Sequence, residues 1–331
     1  MRIVFVVGLW GCAHPYDTPG VHTGGGLDDV EDSADTALDS GDTGGDGAPD
    51  ALAFAAEVDE DELLTTITDL ADFGTRYTFT DGDDLAAEYL VDRFAELGLV
   101  AELDAFDVSG EPCNNVIAIV PGTVTPDVVY VFSAHYDSTS NQAETLAPGA
   151  DDNASGVAAV LEAARILSVH PLASSAWFVL TAAEEQGSLG SAHLVERMMD
   201  EGIDARGVIA PDMMAYWPLG DADAFDILGD EASQPLVEDM AAVADALGVA
   251  NKTWIQHDYC YGDDHTNYQD AGFPAISPMD CVEAHNVRNS GEDTPHYHRT
   301  TDAVDTLHLG FTAEVARVTT ATFAGWVGAA P

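Results

Sequence analysis

The apolar run Ala176-Trp177-Phe178-Val179-Leu180 leads, within a few residues, into two adjacent carboxylates, Glu184 and Glu185. A strand-like segment rarely ends this way unless something cationic waits there, because an ionised group costs several kcal/mol to desolvate unpaired. The pattern recurs along the chain. Upstream lie Ala134-His135-Tyr136-Asp137-Ser138 and Gly149-Ala150-Asp151-Asp152-Asn153-Ala154-Ser155-Gly156; downstream lie Ala210-Pro211-Asp212-Met213 and Tyr297-His298-Arg299-Thr300-Thr301-Asp302. Histidines and carboxylates at the ends of successive apolar strands are the donor set of a zinc site with N and O ligands. Such a chain must bring several strand ends to one place.

The periodicity supplies a fold able to do that. Asp59 to Leu70 and Asp84 to Leu97 have helical spacing, the second stopped by Gly98. Asn115 to Val120 and Val128 to Phe132 are short β-rich runs divided by Pro121-Gly122. An amphipathic helix over Gly156 to Val169, a strand over Trp177 to Thr181 and a helix over Ser188 to Met199 follow. A strand at Gly207 to Ala210, a helix over Pro235 to Leu247, a strand at Ala275-Ile276 and a helix over Phe311 to Trp326 complete the series. This alternation predicts one α/β domain over residues 51–331, with a mixed, mainly parallel sheet flanked by helices. Open sheets of this kind bind ligands beyond the carboxyl ends of their strands.

Charge narrows the partners. The 331 residues include 59 acidic and 10 basic ones, for a net charge of −49. A chain so acidic cannot hold a nucleic-acid backbone by counterion release and has no basic patch for anionic lipid. Met1 to Cys12 reads as an export signal, one basic residue followed by a short apolar run. Leu9-Trp10-Gly11-Cys12 resembles a bacterial lipobox, which makes Cys12 the expected lipidation site and a cell-envelope lipoprotein or secreted protein the expected product. Residues 13–50 are Gly, Asp, Thr and Ser with almost nothing to bury, the composition of a disordered acidic tether. Cys260 and Cys281 flank one loop region and form the expected disulfide, leaving Cys113 a buried free thiol.

Four phrases taken in order carry a specific resemblance. They are His135-Tyr136-Asp137-Ser138, Gly149 to Gly156, Ala183-Glu184-Glu185-Gln186-Gly187-Ser188-Leu189-Gly190-Ser191, and Asp264-His265-Thr266-Asn267-Tyr268-Gln269-Asp270-Ala271-Gly272-Phe273-Pro274-Ala275. From about Asp59 to Trp326 the chain resembles the bacterial secreted leucyl aminopeptidases, a family of co-catalytic zinc exopeptidases that includes glutamate carboxypeptidase II. The resemblance implies a single zinc-exopeptidase domain holding two zinc ions. Asp152, rather than its neighbour Asp151, would bridge the ions. His135 and Asp212 would complete one site, Glu185 and His298 the other, with His298 preferred over His296 because His-x-x-x-Asp matches the family phrase and places Asp302 behind it. Asp137 would orient the His135 ring, and Glu184 would be the general base. A non-proline cis peptide is implied at Asp152-Asn153.

The loop Tyr259-Cys260-Tyr261 departs in spacing from well-known members of the family. Tyr261 is the expected oxyanion partner there, with a wall-lining role equally open. Asp264 and His265 are expected to be structural, and Phe273 and Met279 to be pocket or core residues.

The reading that follows is an aminopeptidase acting on the free N-terminus of peptide substrates. A glutaminyl-peptide cyclase with one zinc shares the fold. A glutamate-type carboxypeptidase would need basic residues for a C-terminal carboxylate, and the later loops offer only Lys252, Arg288 and Arg299. A surface lipoprotein that keeps the fold only to bind would have no reason to retain the ligands and the base together.

Overall fold

The structure is a computed structural model describing residues 51–216, 224–257, 260, 262–280 and 294–329. Helices α1 (Ala51–Ala55), α2 (Glu60–Ala71) and α3 (Asp81–Glu96) precede strands β1 (Ala101–Val108), β2 (Glu111–Val120) and β3 (Thr125–His135). Then come α4 (Ala154–Leu167), β4 (Ser174–Thr181), α5 (Leu189–Glu201), β5 (Asp204–Ile209) and β6 (Phe225–Gly229). The rest are α6 (Gln234–Leu247), β7 (Asn251–Ile255), α7 (Asp264–Asp270), β8 (Ala275–Met279) and α8 (Leu309–Val327). Among the described residues no helix is long and apolar enough to cross a membrane.

Among the described residues the eight strands belong to one sheet of order β1-β2-β4-β3-β5-β8-β6-β7. The pairs β3–β4, β3–β5, β5–β8 and β6–β7 are parallel, and the other three are antiparallel. The fold is therefore the mixed, mainly parallel α/β sheet that the sequence predicts. Its central strands bury both faces. Phe132, Ala134, Phe178 and Leu180 join a core with α2, α3, α4 and α8, whereas Val129, Val131, Trp177 and Val179 pack with α5. Two buried faces explain why β3 and β4 read as continuous apolar runs instead of alternating ones. On the first face Phe323 of α8 packs its ring 5.3 Å from that of Phe132 and 5.7 Å from that of Phe178.

Helix α4 departs from its predicted amphipathic character. Every residue except Arg165 is buried, because the helix lies between the sheet and helices α2 and α8. Its alanines permit that close approach, and its one buried acid, Glu162, is held by Arg165 at 2.7 Å and by the Asp59 amide. Strands β1, β6 and β7 and helix α7 go beyond the predicted elements. β1 reads Ala-Glu-Leu-Asp-Ala-Phe-Asp-Val, and acidic residues are poor strand formers. At the sheet edge Glu102 and Asp107 are exposed and discourage pairing with another chain, whereas Asp104 is mostly buried beside His193 and Arg197 of α5.

Candidate metal centre

Sheet register builds the site. His135 of β3 stands opposite Thr181 of β4, and Phe132 stands opposite Ile209 of β5. His135 and Asp212 each lie three residues beyond that second pair, while Glu184 and Glu185 begin three residues beyond Thr181. Three parallel strands thus deliver their acidic and histidine ends to one edge. The chain passes from β3 to β4 on one side and returns past β3 to β5 on the other, so the loops diverge at β3 and leave a crevice there.

Two groups of possible ligands meet in that crevice and share one residue. His135, Asp152 and Asp212 form one, and Asp152, Glu185 and His298 the other; within each, the ligand atoms lie within 4.8 Å of one another. His135 Nε2 is 3.4 Å from Asp152 Oδ1 and 3.5 Å from Asp212 Oδ1. His298 Nε2 is 3.4 Å from Asp152 Oδ2 and 2.9 Å from Glu185 Oε2. Asp152 therefore turns one oxygen toward each histidine. Asp151 points elsewhere, its Oδ1 accepting the Ala215 amide at 2.8 Å. His296 is likewise set apart, its Nδ1 2.9 Å from Thr301 Oγ1 and its ring edge-on to Tyr216.

Fixed neighbours hold several of these candidate ligands. The Asp302 carboxylate accepts the Asp151 and Asp152 amides at 2.9 and 3.1 Å, pinning the backbone that carries the shared carboxylate. The Asp152–Asn153 peptide is cis, as the resemblance implies. Asn153 caps α4, accepting the Gly156 amide, and donates to the Pro211 carbonyl at 2.9 Å, which ties the Asp152 loop to the Asp212 loop. A side chain at Gly156 would lie 2.8 Å from that same carbonyl. Asp137 stands behind the site: its carboxylate accepts the Glu184 and Glu185 amides at 3.0 and 3.2 Å and lies 3.5 Å from His135 Nδ1. Glu184 Oε1 accepts a hydrogen bond from Ser188 Oγ at 2.9 Å.

The electrostatics describe a cluster short of positive charge. Burial, then the neighbouring Asp152 carboxylate, lifts Glu185 to about 7 against the pull of His298. Burial likewise carries Asp212 to about 7, with Asp152 adding to the rise and His135 opposing it. Burial again, with Asp264, Glu185 and Asp212, drives Glu184 well above the usual carboxylate range. Burial opposes the charge on both histidines, yet Asp212 raises His135 and the bonds to Asp152 and Glu185 raise His298 to about 10. Three buried ligand atoms, His135 Nε2, Glu185 Oε1 and Asp212 Oδ1, have no hydrogen-bond partner. Nitrogen and oxygen donors, orphaned atoms and surplus negative charge together fit a borderline-hard dication such as zinc.

Other predicted residues fall outside this centre. His265 is buried against Asp263, and Asp264 accepts Thr181 Oγ1 at 2.5 Å, so both have structural partners. Met279 is fully buried, and Phe273 packs behind the sheet with the Val131–Trp177 cluster. Cys113 is a buried free thiol and Cys260 is disulfide-bonded. Tyr259, Tyr261, Cys281 and Cys12 lie outside the described residues. Two residues add to the surroundings of the site: Tyr297, at the head of the phrase that holds His298, stacks its ring on that histidine at 3.7 Å, and Thr78, which no motif marks, has its hydroxyl 3.3 Å from Asp137 Oδ2.

A crevice at strand ends with paired His and carboxylate triads defines a metallohydrolase-type site on an open α/β sheet. Residues 115–323 match peptidase family M28, and the chain belongs to that family. It is 27% identical to a probable zinc metalloprotease of Pyrenophora teres f. teres, covering 82% of this chain and 67% of that one. It is 24% identical to leucine aminopeptidase 1 of Ajellomyces dermatitidis, covering 82% of this chain and 72% of the relative. Among solved structures, the LapA aminopeptidase of Legionella pneumophila shares the fold with a TM-score of 0.72 at 20% identity, over 85% of this chain and 75% of that one. The glutaminyl cyclase of Porphyromonas gingivalis shares it with a TM-score of 0.65 at 21% identity, over 82% and 99% of the respective chains.

Proposed function

We propose that this chain is an aminopeptidase of the secreted leucyl aminopeptidase kind, hydrolysing N-terminal residues from peptides at a centre that holds two zinc ions. The shared position of Asp152 between two ligand triads carries this reading. Two dications a few ångströms apart repel strongly unless anionic oxygen sits between them. His135 and Asp212 would complete one site, Glu185 and His298 the other. Zinc bound there supplies Lewis acidity toward the scissile carbonyl and makes water easier to deprotonate at neutral pH. Glu184 takes the proton from the attacking water and delivers it to the departing amine. Its bond from Ser188 fixes its rotamer for that task. Asp137 holds the His135 ring from its Nδ1 side and, through the Glu184 and Glu185 amides, sets the base and a ligand in one frame.

We further propose that residues 1–12 direct export, that Cys12 carries lipid, and that residues 13–50 tether the domain of residues 51–331 to the cell envelope. Peptides are then its partners and the membrane is met only through the lipid; the net charge of −49 argues against nucleic acid. Replacing Cys12 with Ala should shift the protein from the membrane fraction to the soluble one. An unchanged distribution would remove the lipid from the account.

A panel of aminoacyl-p-nitroanilides, each with its N-acetylated counterpart, tests the activity. Chelator-sensitive cleavage confined to free-amine substrates is expected. Cleavage of N-blocked peptides from the carboxyl end would instead establish a carboxypeptidase.

A further inference from the structure

Among the described residues Arg76 is one of the largest fully buried side chains, and its guanidinium is within ion-pair distance of no carboxylate. It donates to four carbonyls: Nε to Tyr136 at 2.6 Å, Nη1 to Leu70 at 3.0 Å and to Pro148 at 2.6 Å, and Nη2 to Gly149 at 2.9 Å. Tyr136 follows His135 directly, and Pro148-Gly149 leads into Asp151-Asp152. One rigid fork thus spans the two segments that supply His135 and Asp152, two of the three residues of the first triad.

The backbone around Arg76 ties the same loops again. Its amide donates to Ser138 Oγ at 3.1 Å, and Ser138 Oγ in turn donates to the Ala147 carbonyl at 2.7 Å. Ala147 donates to the Gly74 carbonyl at 2.7 Å, and Thr75 Oγ1 donates to the Ala143 carbonyl at 2.6 Å. Thr78 extends the contact to Asp137 and to Gln186, next to the glutamate pair. Gly149, at φ +55°, is pressed so close that an added Cβ would lie 2.6 Å from Ser138 Cβ and 2.8 Å from Arg76 Nη2. This strap lies outside residues 115–323, the part that matches the family.

We propose that residues 74–78 form a strap that, through Arg76, sets the separation of His135 from Asp152, making Arg76 a positioning residue for the metal centre. Its charge adds to the effect: burial lowers Arg76 to about 10, with Asp302, Asp137, Asp152 and Asp83 holding it up, so it stays cationic at neutral pH beneath a cluster of carboxylates. Lysine would keep the charge but lose the fork that reaches several carbonyls at once.

The inference rests on the two-metal reading above, and the test separates the two. Zinc binding to the full chain is titrated for wild type, Arg76→Lys and Arg76→Ala, with melting temperatures of the metal-free proteins measured alongside. Wild type should bind two equivalents. Arg76→Lys should lose roughly 10–100-fold in zinc affinity, the range seen when an outer-shell partner is removed. Arg76→Ala should lose more and regain several-fold with millimolar guanidinium but not with equal ammonium. A merely structural arginine would lower the metal-free melting temperature and leave zinc affinity within about twofold, which would overturn the proposal. Should both variants fail to fold, Ser138→Ala loosens the strap with Arg76 in place. A fall of about threefold or more in zinc affinity supports the strap, and an unchanged value overturns it. Wild-type protein that takes up no zinc overturns the metal centre itself and this proposal with it.

Discussion

Glu184 and Glu185 are neighbours in sequence that meet different surroundings, and the difference assigns their work. Glu185 reaches His298 at 2.9 Å and leaves Oε1 orphaned, as a ligand would; Glu184 is held by Ser188 and belongs to neither of the two ligand groups. Glu184→Gln should therefore lower kcat by about 10²–10⁴-fold, the usual worth of a general base, with zinc content by metal analysis unchanged. Loss of zinc in that variant would make Glu184 a ligand instead. Asp83 offers a test away from the ligands. Burial, reinforced by Asp137 and Asp84, raises it to about 8, and its Oδ1 has no hydrogen-bond partner. Below pH 4 the group is protonated in both states. Between about 4 and 8 the unfolded chain ionises and the folded one does not, so stability falls as pH rises through that window. Asp83→Asn cannot ionise. Its melting temperature should match wild type near pH 4 and exceed it by several degrees at pH 8, a difference on the order of a few kcal/mol. Equal temperatures at pH 8 would contradict the burial argument. At this scale the candidate ligands could be picked out because His135, Glu185 and Asp212 sit at or just past strand ends, and Asp152 and His298 sit in phrases of the family resemblance. Arg76 could not, since its role consists of hydrogen bonds to backbone far away in sequence, and for Asp302 the His-x-x-x-Asp phrase marked the residue but not its bonds to the Asp151 and Asp152 amides.

At the level of elements, the site depends on how helices and strands begin and end. Asn153 starts α4 by accepting the Gly156 amide and also bonds Pro211. Asn153→Ala should cost about 0.5–2 kcal/mol for the lost cap, measured by urea denaturation. It should also weaken zinc binding, because the Asp152 and Asp212 loops lose their common tie. A cost in stability with zinc affinity intact would confine Asn153 to capping. The β3, β4, α5, α6 and α8 segments could be read from period and composition, because apolar content and length agreed there. β1 and β7 could not: their acidic or mixed sequences make strands only because a neighbouring strand supplies the ladder. Helix α7 is seven residues long, too short to leave a periodic trace.

Across the whole molecule, a net charge of −49 presses the folded state toward expansion. Salt shortens the range of that repulsion, so the melting temperature should rise by several degrees between 0.05 and 1 M NaCl, at about 3 Å screening length in the latter. A fall would show that surface ion pairs such as Arg197–Glu102 outweigh the repulsion. The α/β class was visible in the alternation of elements, and the convergence of the ligands followed from it, because parallel strands place their ends at one edge. Sheet order was not visible, since nothing local in β3 records that β4 and β5 will lie on either side of it. The central claim is two zinc ions sharing Asp152, and zinc analysis of the purified full-length chain after equilibrium dialysis tests it most directly. Two equivalents are predicted, falling to one or fewer in Asp152→Asn. A single equivalent in wild type, unaffected by that substitution, would contradict the shared centre and favour a one-zinc cyclase.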